Sequence, residues 1–73
     1  MHGERMSESN ELRSLATTLD DIARRIEAIE RSLLAAKQEG PAQPLRQAGA
    51  LARAMTRELG ESIRRLEQGA PHQ

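Results

Sequence analysis

Leu12, Leu15, Leu19, Ile22, Ile26, Ile29 and Leu33 recur at alternating spacings of three and four residues. Such spacings return the chain to one side of an α-helix, so they predict a long helix with a narrow apolar seam. Three uninterrupted heptads of large aliphatics must bury that seam against other helices. A second apolar face follows at Leu45, Ala48, Leu51, Ala52, Met55, Leu59, Ile63 and Leu66. The two stripes are out of phase. The first would continue at positions 40 and 47, whereas the second starts at Leu45. One straight helix cannot carry both, and Gly40-Pro41-Ala42-Gln43-Pro44 stands between them. Gly suits the left-handed position after a helix, and Pro suits the first turn of the next.

The expected layout has a disordered arm over residues 1–8 and a helix over about 9–39, capped by Ser9 or Asn10 with Glu8 and Glu11 at its positive end. A break at 40–44 precedes a second helix over about 45–68. Gly69 and Pro71 are stop signals, leaving a loose tail at 70–73. Asp20–Arg24, Asp21–Arg25 and Glu27–Arg31 are acid-before-base pairs at the spacing that supports a helix surface. Gly49 and Gly60 weaken the second helix by about 1 kcal/mol each relative to Ala. The short connection predicts an all-α antiparallel hairpin. With the break at 40–44, facing residues have numbers adding to about 83 or 84, which sets Leu33 near Leu51, Ile29 near Met55 and Leu19 near Leu66. No segment alternates with period two, so no strand is expected.

Composition sharpens this picture. The 73 residues allow one small domain, and they contain no Phe, Trp, Tyr or Cys. Any core is therefore Leu, Ile, Met and Ala, which suits ridge-and-groove packing of helices. Neither a disulfide nor a thiolate metal site can staple so small a chain, so association is the remaining route to a sufficient core. Leu at most a positions with Ile at two d positions leans toward higher-order bundles. The expectation is a homodimer of hairpins forming a four-helix bundle through the two seams. Net charge is zero, but residues 1–40 carry −2 and residues 41–73 carry +2, which favours pairing one half against the other. The absence of Cys fits a cytoplasmic setting. The polar start MHGERMSESN has no apolar core of a signal peptide, and no apolar run approaches membrane-spanning length. Arg heavily outnumbers Lys and Ala is abundant, as in GC-rich bacterial coding sequences.

Candidate chemistry is sparse. Arg46, Arg53, Arg57 and Arg64 fall within a narrow arc nearly opposite the second apolar face. Such a stripe could track a phosphate backbone or an acidic partner; the plainer reading is a solvated face. Zero net charge and the lack of aromatic stacking platforms count against nucleic acid. Ala48, Gly49, Ala52, Thr56 and Gly60 give the second helix a small-residue side, suited to close packing within the hairpin or homodimer, or to a partner helix. His2 and His72 are the only imidazoles and match no metal spacing. Asp20 and Asp21 diverge by about 100° on a helix and form no dyad. No His or Cys stands near a Ser or Thr to activate it. These observations point away from an enzyme, a cofactor, a metal and a small-molecule substrate.

A long helix, the break Gly40-Pro41-Ala42-Gln43 and a second helix rich in Ala, Leu and Gln resemble the small hairpin co-chaperones of bacterial type III secretion needles over residues 10–68. The aromatic residue that such proteins can carry after the break is missing; Pro44-Leu45 stands there. The resemblance implies a helical-repeat partner and an export role, and it carries over no binding residue. The layout is also similar to hairpin dimers of the Rop type, which bind RNA on a helical face. The leading expectation is a non-enzymatic, self-associating interaction protein. A co-chaperone or accessory subunit packing on a different helical protein is the alternative, and a Rop-like RNA binder using the Arg stripe is the third.

Overall fold

The computed structural model describes residues 2–68, with side chains from Ser7 to Gln68. Gly69, the tail 70–73 and the His2 side chain, on which the sequence reading also touched, lie outside the described residues. Two helices, α1 (His2–Ala35) and α2 (Glu39–Glu67), pack against each other as an antiparallel hairpin 54 Å long. No strand occurs among the described residues.

Both helix boundaries at the connection differ from the sequence reading. The break lies at residues 36–38, not 40–44, and α1 is already helical over residues 2–8, where an arm was expected. The first reason is a hydrogen-bonded helix end that does not use glycine. The Gln38 N–H donates to the Leu33 carbonyl at 2.8 Å, and the Lys37 N–H donates to the Leu34 carbonyl at 3.0 Å. These two bonds form a Schellman motif, and Lys37 takes its left-handed position at φ 62°. The second reason is that Gly40 and Pro41 are compatible with a first helical turn. The first four N–H groups of a helix have no partner there, so Pro41 loses nothing. Gly40 has no Cβ to collide with the following proline ring. Pro44 removes only the bond to the Gly40 carbonyl, which lies on an exposed residue.

The earlier turn resets the register. Ser9 bonds to Glu67 and Arg46 bonds to Glu30, while Gly49 lies against Ile26 and Glu27. Level residues thus have numbers adding to about 76, close to one heptad below the value expected from a break at 40–44. The extra turn at the start of α2 also brings Ala42 against α1, where it is 1% exposed.

The helices meet along rows spaced by seven. On α1 the row is Ser9, Ala16, Ala23 and Glu30; on α2 it is Ala42, Gly49, Thr56 and Ile63, flanked by Ala52. Among the described residues the buried apolar side chains are Ala23, Ala42, Ala52 and Ile63, and no large one is fully buried. Replacing Lys37 with Gly should relieve the left-handed strain and stabilise the chain by about 1 kcal/mol. A rise in the urea midpoint at unchanged slope is the expected outcome; a fall would show that Lys37 is not at the turn.

Candidate functional site

Three parallel rows on α1 become progressively more exposed. Ser9 and Ala23 in the contact row are buried, and Leu12, Leu19, Ile26 and Leu33 are half-buried beside it. Leu15, Ile22 and Ile29 form the third row, a quarter-turn from α2, and are 50%, 39% and 54% exposed. On α2 the same gradient runs from buried Ala52 and Ile63 through half-buried Leu45, Ala48, Leu59 and Leu66 to Leu51 and Met55, which are 60% and 52% exposed. The expected seam residues therefore share one side of the hairpin, but the helix–helix contact covers only part of them. A groove of about 480 Å³ runs along this face between Leu15, Thr18, Leu19 and Ile22 of α1 and Met55, Glu58 and Leu59 of α2.

The opposite flank is closed by charge. Arg53 holds Glu27 through two bonds of 2.8 Å and reaches Asp20 at 3.1 Å. Arg46 bonds Glu30 at 3.2 Å, and Arg13 pairs with Glu67, which also accepts from Ser9. The Arg stripe was expected nearly opposite the apolar face, free in solvent. Arg46 and Arg53 instead lie at the edge of the helix contact, because that contact is centred on the Gly49 row rather than on the middle of the apolar arc. Arg64 bonds within its own helix to Glu61. Arg57 has no ion-pair partner among the described residues. Of the expected pairs within α1, Asp20–Arg24 and Asp21–Arg25 form, whereas Glu27 turns to Arg53 instead of Arg31.

The small-residue side of α2 divides likewise. Gly49 and Ala52 are buried, Ala48 and Thr56 are half-buried, and Gly60 is exposed. The Thr56 hydroxyl donates back to the Ala52 carbonyl at 2.9 Å and so leaves no orphan donor in the contact. The sequence reading missed the matching small row on α1 and the acids that hold the arginines. The available signals were Ser9, Ala16 and Ala23 at intervals of seven, and the opposite charges of the two halves. No group of three or more metal-ligating side chains converges among the described residues. No described helix is long and apolar enough to cross a membrane. Comparisons with family models, curated proteins and solved structures each return no match.

Electrostatics follow from this geometry. The hydrogen bond from Arg53 holds the Glu27 carboxyl below its ordinary value of 4.5, and Glu27 in turn raises Arg53. Arg13 lowers Glu67, and Arg64 with Arg65 lowers Glu61. A carboxylate lowered in the folded state contributes stability above its unfolded value and loses it as pH falls through the folded value. Unfolding midpoints at low salt should therefore hold at neutral pH and drop below pH 4.5. Arg53→Glu should lower the neutral-pH midpoint by facing Glu27 and Asp20 with a third acid, whereas Arg57→Glu should leave it within experimental error. Equal midpoints for the two variants would show that the Arg53 network does not hold the helices.

Proposed function

We propose that this chain is a non-enzymatic interaction protein whose apolar face seats a second copy, forming a four-helix bundle. The observation that carries the reading is the half-used seam: Leu15, Ile22 and Ile29 with Leu51 and Met55 remain exposed on one face. A helix pair whose described core is three alanines and Ile63 lacks the second layer around which stable domains are built. Five half-exposed aliphatic side chains offer roughly 500 Å² from each copy, so two copies reach the ~1,000 Å² that a specific interface needs. The charged flank would then face solvent, in keeping with ion pairs that tolerate water.

The same face would also take the helices of a different protein, as the co-chaperone reading requires, and a monomeric purified chain would favour that alternative. For nucleic acid the structure offers less support, because Arg46, Arg53 and Arg64 are already bonded to carboxylates.

Sedimentation equilibrium at roughly 100 μM should give a dimer, the range where an interface of this size is populated. Ile22→Asp sets a charge in the middle of the exposed row and spares the hairpin's own contact row. It should weaken association by about a hundredfold or more. A wild-type chain that sediments as a folded monomer would overturn the self-association reading.

A further inference from the structure

At its two outer levels the exposed face is large on α1 and small on α2, and at the middle level both side chains are large. Its α1 row is Leu15, Ile22 and Ile29, and its α2 row is Ala48, Met55 and Ser62. The register sets these rows level, Ile22 beside Met55 and Ile29 beside Ala48. We infer that the second copy stacks with its turn at the same end, so that α1 of each copy lies on α2 of the other. This rests on the self-association proposed above and specifies its geometry.

A closed dimer must match one surface to itself through a two-fold axis. An axis along the bundle keeps every residue at its own level. Leu15 and Ile29 then meet Ser62 and Ala48 of the second copy, large against small, while Ile22 meets Met55 in a central layer of two large side chains. With the turns at opposite ends, α1 lies on α1 and α2 lies on α2. Leu15 then meets Ile29 on one side while Ala48 meets Ser62 on the other, so the outer levels are overfilled along one edge and underfilled along the other, with Met55 against Met55 between them. Neighbouring helices are antiparallel in both arrangements, so their dipoles do not decide.

The rim decides in the same direction. Glu11, Thr18 and Arg25 border the face on α1, and Leu51, Glu58 and Arg65 border it on α2. Same-end stacking sets Glu11 beside Arg65 and the Thr18 hydroxyl beside Glu58. It also lays the aliphatic stem of Arg25 over Leu51, the most exposed large apolar side chain among the described residues. Opposite-end stacking forms none of these pairs, because Glu11 then comes to Ser32, Thr18 to Arg25 and Glu58 to Leu51.

The turn reports the arrangement with a long lever arm. Gln38 is exposed and its side chain makes no cap hydrogen bond, and the chain has no native cysteine to interfere. A spin label on Gln38→Cys, measured by pulsed dipolar spectroscopy in the full chain, should give a separation of about 15–25 Å, since stacked helices lie about 10 Å apart. Light scattering is run on the same labelled sample. A dimer with labels near the 54 Å length of the hairpin would overturn same-end stacking and leave self-association standing. A monomer without dipolar coupling would remove both.

Discussion

The hairpin depends on the close approach of two rows of small residues. Ala23 on α1 and Ala42, Gly49 and Ala52 on α2 carry too little side chain to hold the helices apart. A Cβ added at Gly49 would lie 3.7 Å from Ile26 Cγ2 and 3.6 Å from Glu27 Cγ, so the gap admits a methyl group and little more. Close approach of this kind buries backbone and methyls efficiently, and of the large aliphatics it buries Ile63 alone among the described residues. The other large aliphatics are displaced to one side. The contact that makes the hairpin is therefore also what leaves its largest apolar side chains half in water.

The charged side has a different task. Each ion pair is exposed enough to contribute little to stability. Their positions nevertheless distinguish one register from the next. Sliding α2 by a heptad along α1 keeps every apolar row in phase, but it parts Arg53 from Asp20 and Glu27, and Arg46 from Glu30. The left-handed Lys37 and the two bonds around it fix the same register from the turn. Turn geometry and charge thus select among alignments that the hydrophobic pattern treats as equal.

That degeneracy explains what the sequence could and could not disclose. Periodicity is a statement about phase, so the two helices, their antiparallel pairing and the side they share were legible from Leu12 to Leu66. Register was not legible, because a pattern that repeats every seven residues fits equally well one heptad away. Gly40 before Pro41 was the stronger stop signal by residue type, yet Lys37 ends α1 and Gly40 joins α2. Hydrogen bonds to Leu33 and Leu34 outweigh the cost of one non-glycine residue at positive φ, which is about 1–2 kcal/mol. The division of the seam into covered and uncovered rows was also hidden. It depends on which row has the least side chain, and alanine counts as apolar in either role.

A face left over by such a contact is not featureless. Its two rows inherit the seven-residue spacing of the helices that carry them, with bulk on α1 and space on α2 at the outer levels and bulk on both at Ile22 and Met55. A second hairpin that covers it would set small side chains against Leu15 and Ile29 and large ones against Ala48 and Ser62. The simplest surface with both rows, at the required spacing and pitch, is the same hairpin turned over, and it needs no further gene product to supply it. The self-association proposed above draws on this difference in bulk as well as on the amount of apolar surface, which by itself would accept many partners.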